Sequence, residues 1–343
     1  MATITILSGK GEVFPYIDRA KAYWESPAGT DVGNYDGTYR NQAKGIRLSW
    51  SCDCEGVARY LLRYGVKGEK KTEVDVGKAC EYSLYNLYKA TEYEWSVTAE
   101  YSDGRNTTES ASFQTTALGP RVLEIDGIFN TRDVGGYLTK SGKRTKQGLL
   151  YRGGALNLHY AKDGTIIYPS DLTEKGKTVM SDELGIKTDL DLRGLGAESA
   201  YATESPIPNA NLVYSKIDGY AEAFTQTENY KKIFSLFAKK ESYPLYFHCT
   251  GGADRTGTVT FLLNGLLGVP EEELIRDYEF TTFSIYCKRS VQNAEFAGHF
   301  QAFRTGLEAF EGEGLAKKVE NYLLSIGVTE EELCSIREIF LGD

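Results

Sequence analysis

Ten residues, His248-Cys249-Thr250-Gly251-Gly252-Ala253-Asp254-Arg255-Thr256-Gly257, constrain this chain more than any other stretch. The apolar run Leu245-Tyr246-Phe247 before them reads as a strand, and Thr258-Val259-Thr260-Phe261-Leu262-Leu263 after them reads as a helix. A strand that ends in a glycine-containing turn and opens directly into a helix aims successive backbone N–H groups at one point, where the helix dipole adds positive potential. An anion belongs there. The same field favours the thiolate, the reactive form, of Cys249. Arg255 offers phosphate oxygens a planar, two-pronged contact that a lysine cannot copy. These are the requirements for a cysteine nucleophile that attacks a phosphate ester. A buried cysteine beside a helix start would explain a bare Cys-x5-Arg match equally well. Here the strand, the glycines and the Thr-Gly helix opening all point to the reactive site.

The segment resembles the signature loop of the protein tyrosine phosphatase superfamily, His-Cys, five residues, then Arg-Ser/Thr. With its Asp-Arg-Thr-Gly ending it is similar to the bacterial tyrosine phosphatase-like family, which includes secreted, lipid-tolerant members. Asn130-Thr131-Arg132-Asp133-Val134-Gly135-Gly136-Tyr137 resembles that family's early Asn-x-Arg-Asp-x-Gly-Gly stretch. Asp189-Leu190-Asp191-Leu192-Arg193, with Glu198 shortly after, resembles its Asp-Leu-Arg strand. The likeness runs from about Pro120 to the C-terminus. It implies a cysteine-dependent hydrolase of phosphate monoesters with no metal or organic cofactor. Arg132, Asp133, Asp191, Arg193 and His248 are expected to support the site, the charged ones as pairs bracing its loops, since buried opposite charges pair in any case.

The resemblance also implies a mechanism. Cys249 attacks phosphorus and forms a phosphocysteine. The N–H groups of Thr250, Gly251, Gly252, Ala253, Asp254 and Arg255, with the Arg255 guanidinium, hold the equatorial oxygens, and Thr256 can donate its hydroxyl to the sulfur. The leaving oxygen needs a proton, and two aspartates qualify. Asp254 lies inside the loop, and Asp218 lies 31 residues ahead of Cys249, where the wider superfamily carries a mobile-loop acid. Asp254 could instead cap the helix, and Asp218-Gly219 could be only a turn; the sequence leaves both open. Lipid-tolerant members carry a lysine just before the Asp-Arg pair, where this chain has Ala253. That favours phosphotyrosine in proteins, or a small aryl phosphate, over phosphoinositides or inositol phosphates, unless Lys231, Lys232, Lys239 or Lys240 compensates. The competing class is a non-catalytic, phosphate-binding adhesion protein.

At 343 residues the chain suits two domains. Its net charge of −9 argues against nucleic acid as a partner. No run approaches the roughly 18 apolar residues of a membrane span. The first residues lack a secretory signal, so the compartment stays open: inside the cell, or outside it after removal of a signal. The six cysteines show no disulfide framework, and Cys52-Asp53-Cys54 lacks a second pair to complete a metal site.

The first third alternates as strands do. In Tyr93-Glu94-Trp95-Ser96-Val97-Thr98-Ala99-Glu100-Tyr101 every second residue is apolar, and Ile46, Leu48, Trp50 and Cys52 repeat the pattern. Residues 1–117 are expected to form an all-β sandwich resembling a fibronectin type III domain. Trp50 takes the early-strand tryptophan position, and Leu87-Tyr88-Lys89-Ala90-Thr91-Glu92-Tyr93 resembles the tyrosine corner. Such a domain could contact protein or carbohydrate. Residues 1 to about 40 suggest a first strand and a long loop. From 120 to 343 strands alternate with helices, which predicts an α/β domain with a mostly parallel sheet flanked by helices. The signature loop then sits at the carboxyl end of its strand, where such sheets bind ligands.

Overall fold

The computed structural model describes residues 3–35, 42–53, 55–160, 165–168, 170–285, 289–292 and 294–342. They form two units, Met1–Ile17 with Ala43–Leu118, and Asp18–Gln42 with Gly119–Asp343.

The first unit is a β-sandwich. One sheet orders β1 (Ile4–Ser8), β3 (Ile46–Cys52) and β6 (Glu81–Leu84) as β1-β3-β6. The other holds β2 (Gly11–Val13), β4 (Val57–Val66), β5 (Thr72–Asp75), β7 (Glu92–Tyr101) and β8 (Asn106–Thr115) in the order β2-β8-β7-β4-β5. Period-two alternation decides which face is dry: Tyr93, Trp95, Val97, Ala99 and Tyr101 of β7 are buried while the residues between them are not. Trp50 and Trp95 meet in the core with ring centroids 6.2 Å apart, as the alternation predicts. The corner forms as expected, with the Tyr93 hydroxyl accepting the Tyr88 N–H at 2.9 Å. Strand β8 is nearly invisible in the sequence because its outward residues are Ser, Thr, Glu and Asn. Cys52 is disulfide-bonded although the cysteine spacing showed no disulfide framework; Cys54 and Cys287 lie outside the described residues.

The second unit is built on a five-stranded sheet. It comprises β9 (Arg132–Asp133), β10 (Leu150–Gly153), β13 (Thr188–Asp191), β14 (Asn211–Tyr214) and β15 (Leu245–His248), ordered β14-β13-β15-β10-β9. All neighbours are parallel except β9. The small pair β11 (His159–Tyr160) and β12 (Ile166–Tyr168) stands apart. The sheet is dry on both faces. Leu150, Leu190, Leu245 and Phe247 face one apolar cluster, and Tyr151 and Tyr246 face another.

Helices α2 (Glu174–Thr178), α3 (Thr227–Phe237), α4 (Asp254–Leu266), α5 (Glu271–Glu279), α6 (Ala294–Glu308), α7 (Gly314–Ser325) and α8 (Glu330–Leu341) complete the strand–helix alternation expected from 120 to 343. Thr329 and Glu332 cap α8 reciprocally, which fixes where it starts. Helix α4 is buried continuously from Thr256 to Leu266, so it shows no amphipathic stripe.

The expected division at residues 117 and 120 differs from these units in one respect. Residues 18–42, expected in the sandwich, belong to the second unit, and they include a helix, α1 (Asp18–Glu25), where a loop was expected. The cause is packing: Tyr23 lies 5.8 Å from Phe283 and Trp24 6.4 Å from Phe280, ring centre to ring centre. Trp24 is therefore core of the second unit. A fragment begun at Pro120 would lack this segment.

The tyrosine corner can be checked directly. Tyr93→Phe leaves the Tyr88 N–H without its acceptor, so unfolding should show the sandwich destabilised by about 1–3 kcal/mol. An unchanged transition would mean that the bond contributes nothing.

Candidate active site

Strand β15 delivers Cys249 to the carboxyl edge of the sheet, and α4 begins five residues later. The loop between them has its carbonyls engaged on the protein side. The Ala155 N–H donates to Thr250 O at 3.0 Å. Asn130 Nδ2 donates to Gly251 O at 3.0 Å and to Gly252 O at 3.1 Å. Arg152 Nη2 donates to Gly252 O at 2.8 Å. In a trans peptide the N–H points opposite to the C=O. The N–H groups of Gly251, Gly252 and Ala253 are therefore turned to the other side, as an anion cradle requires. Only glycine fits at Gly252: its φ is +64°, and a Cβ would come within 2.3 Å of the Gly153 carbonyl carbon.

Beneath the loop lies a buried charge network. Asp277 of α5 accepts from Arg132 Nε at 2.8 Å, from Arg152 Nη1 at 2.7 Å and from the Tyr137 hydroxyl at 3.0 Å. Burial alone would raise the Asp277 carboxyl, but Arg132 and Arg152 outweigh it and hold it below its ordinary value. Burial and the adjacent Arg132 push Arg152 down to about 10, which still leaves it protonated at neutral pH. Asn130 adopts a left-handed backbone (φ 59°), which asparagine tolerates, and its Oδ1 accepts from Arg132 Nη1 at 2.7 Å.

The supporting residues are paired. Asp133 accepts from Arg121 at 2.9 Å and from the N–H groups of Gly135 and Gly148 at 2.8 and 2.7 Å, which ties its own loop together. His248 Nε2 lies 3.0 Å from Asp189 Oδ1 on the face of the sheet opposite Phe247. Arg193 bonds Asp191 at 2.7 Å and donates to the Glu198 carbonyl at 2.9 Å. Glu198 in turn takes Arg255 end-on, Nη1 at 3.1 Å and Nη2 at 2.5 Å, and accepts the Thr250 hydroxyl. Partial burial would raise the Glu198 carboxyl, but the bonds from Arg255 and Thr250 prevail and lower it to about 2. Arg255 Nη2 also donates to Thr250 Oγ1 at 3.1 Å, so of its donors the end-on pairing engages Nη1 and Nη2 and not Nε. The Thr256 hydroxyl is buried with no hydrogen-bond partner, so the bond to sulfur suggested by the sequence is not made here.

The two aspartates are separated by their surroundings. Asp254 does not cap α4, whose N-cap is Ala253 with no side-chain bond. Its carboxylate accepts from Arg289 Nε at 2.7 Å and Nη2 at 2.9 Å, and from the Tyr220 hydroxyl. Burial would raise it, but Arg289 and Tyr220 hold it below its ordinary value. Asp218 is exposed on the turn after β14, held by a 2.7 Å bond from Gln226 Nε2. A Cβ on its neighbour Gly219 would lie 3.0 Å from the Asp254 carbonyl carbon, so this turn rests against the start of α4, and Asp218 is among the charges that act on Arg255. Of the lysines considered as compensating charge, Lys232 bonds the Tyr214 carbonyl and Lys240 lies 3.6 Å from Glu338.

Besides Gln42, whose side chain donates to Asn130 Oδ1 at 3.3 Å, three residues around the loop were not singled out by sequence reasoning. Arg152 stands at the end of a strand, a position that could have been noticed. Asp277, Arg289 and Gln42 carry no local signal.

The model of the tyrosine phosphatase family matches residues 123–342. A protein of Cupriavidus necator named for tyrosine-protein phosphatase activity is 26% identical over 233 residues, 61% of this chain and 75% of that one. A tyrosine-protein phosphatase of Nostoc commune is 26% identical over 194 residues, 45% of this chain and 66% of its own. Among solved structures, an FN3 domain of human collagen XX is 32% identical, covering 20% of this chain and 76% of that one, with a TM-score of 0.17. The core catalytic domain of a PP-IP phosphatase from S. cerevisiae is 12% identical, covering 50% and 85%, with a TM-score of 0.29. The family match spans the sheet, the Cys249–Arg255 loop and the network beneath it, and this chain belongs to the tyrosine phosphatase family, the cysteine-dependent phosphate monoester hydrolases.

Proposed function

We propose that the chain dephosphorylates phosphotyrosine in proteins, with Cys249 as nucleophile and Asp218 as general acid. The observation that carries the reading is the inward engagement of the loop carbonyls by Ala155, Asn130 and Arg152, which turns the opposing N–H groups to one side. Cys249 attacks phosphorus in line, the sulfur–phosphorus bond forms as the phosphorus–oxygen bond breaks, and the leaving phenolate takes a proton from Asp218. Water then cleaves the phosphocysteine and releases inorganic phosphate and the thiolate. The loop N–H groups and the Nε edge of Arg255 carry the charge of the equatorial oxygens throughout.

Asp218 is favoured over Asp254 on electrostatic grounds. A carboxylate held by an arginine fork and a tyrosine hydroxyl resists protonation, and an acid must be protonated to act. Asp218 is exposed and rests beside the loop. Asp254 then serves to hold Arg289 and Tyr220 against α4. The substrate assignment rests on chemistry at the rim: Ala253 replaces the lysine that would add charge for a polyphosphorylated head group, and the Arg289 charge is already matched by Asp254.

Cys249→Ser should abolish hydrolysis of an aryl phosphate while vanadate still binds; turnover within tenfold of wild type would sink the covalent mechanism. Asp218→Asn should slow alkyl phosphates by about 10²–10⁴ and activated aryl phosphates far less, because a good leaving group needs little protonation. Asp254→Asn should lower both alike. The reverse pattern would transfer the acid role to Asp254, and a wild-type preference for phosphoinositide over phosphotyrosyl peptide would overturn the substrate.

Glu198 allows a pH test. Its folded value of about 2 lies below its ordinary carboxylate value, so its contribution is present above that ordinary value and fades only as pH falls towards 2. Glu198→Ala, assayed from pH 5 to pH 8, should lower kcat/KM on the order of tenfold by the same factor at every pH. A factor that varies across that range would mean that Glu198 titrates there.

A further inference from the structure

The phosphate loop is not the last member of its hydrogen-bond chain. Asn130, which donates to Gly251 O and Gly252 O, accepts on Oδ1 from the Nε2 of Gln42 at 3.3 Å, and the same Nε2 donates to Phe280 O at 2.8 Å. Gln42 is 2% exposed and ends the segment 18–42, which belongs to the second unit although it lies between the two parts of the sandwich in the chain. The segment is fastened to α5 through Arg276 and Glu279. Arg276 Nη2 donates to Tyr23 O at 2.6 Å and to Ser26 O at 2.8 Å, and its guanidinium lies 4.8 Å from the centre of the Tyr23 ring. The Tyr23 hydroxyl donates to Glu279 at 2.5 Å. Between Arg276 and Glu279 on α5 stands Asp277, the carboxylate that holds Arg132 and Arg152.

We infer that residues 18–35 and Gln42 are part of the foundation of the phosphate site and that Gln42 is a positioning residue acting on the loop through Asn130. The physical reasoning is local. An asparagine amide has one rotatable plane, and Asn130 must keep its Nδ2 side aimed at two loop carbonyls. Two donors on Oδ1, Arg132 from one direction and Gln42 from another, fix that plane more firmly than one. Without Gln42 the Asn130 amide has a softer torsion, the loop peptides lose their registration, and the N–H groups no longer converge on one point. Both the bound anion and the transition state should suffer, since they use the same donors.

The inference rests on the phosphatase reading for its readout, and the test separates the two. In the full chain, Gln42→Met keeps the side-chain volume and removes the amide. It should lower kcat/KM for p-nitrophenyl phosphate and raise the inhibition constant of vanadate, each by about tenfold, the effect of losing one buried hydrogen bond at the site. In an Asn130→Ala background the same substitution should change vanadate affinity by no more than about twofold, because its effect travels through Asn130. Effects that multiply in the double variant, or a Gln42→Met chain with wild-type constants, would overturn the inference. A second measurement needs no substitution. By reciprocity, vanadate bound to the wild-type chain should slow amide exchange in residues 23–35; unchanged exchange there would also overturn it. A wild-type chain that neither turns over the aryl phosphate nor binds vanadate counts instead against the phosphatase reading.

Discussion

The orientation of three peptide planes is the constraint on which the rest of the site depends. A loop of small residues has many conformations, and in most of them its N–H groups diverge. Asn130 and Arg152 remove that freedom by taking the carbonyls of Gly251 and Gly252. The cost is a guanidinium in a fully enclosed place beside a second one, Arg132. Two buried cations require a buried anion, and Asp277 supplies it to both at 2.7–2.8 Å. Breaking one partner out of such a network leaves a charge unmatched and commonly costs about 3–5 kcal/mol. The loop is thus held by a polar network more than by apolar packing, and the network dictates which residues the neighbouring strands must present.

The same logic separates the two acidic candidates. In sequence Asp254 and Asp218 are equivalent, each an aspartate at a plausible distance from the nucleophile. In the fold one faces an arginine fork and a tyrosine hydroxyl, and the other stands in solvent on a turn pressed against α4. Environment, not residue type, decides that the Asp254 carboxylate resists protonation. Glu198 acts on orientation: by gripping both terminal nitrogens of Arg255 it holds that guanidinium in one position.

Much of this was legible in the sequence, for physical reasons that can be named. Period two identified β7 and its buried Trp95, and the Leu87–Tyr93 corner carried its own hydrogen bond. The Cys249–Arg255 spacing marked a strand-to-helix turn, and helices α3 to α8 showed in their periodicity or apolar runs. What failed was long-range. Strand β8 is polar on its open face, so alternation has nothing to register. Asp277 and Arg289 sit in ordinary charged stretches, and their roles exist only because α5 and the residues after it pass beneath the loop. Helix α1 is short, and Tyr23 and Trp24 gain their burial from Phe280 and Phe283, some 250 positions later in the chain. Tertiary packing of that kind overrides local preference.

A discontinuous unit follows from that packing, and it bears on how the chain holds its site. The larger part of the sandwich, Ala43–Leu118, lies in the chain between the segment that carries Gln42 and the rest of the second unit. The fold closes the gap through α5, which makes both connections within four consecutive residues: Asp277 turns inward to Arg132 and Arg152, while Arg276 and Glu279 hold Tyr23 and the backbone around it. A helix places residues one apart at roughly 100° to one another, so one turn can address the loop network and the N-terminal segment at once. Any shift of α5 would then disturb both connections together. The early segment is therefore coupled to the phosphate loop by geometry, at a sequence separation where no local pattern could have announced it.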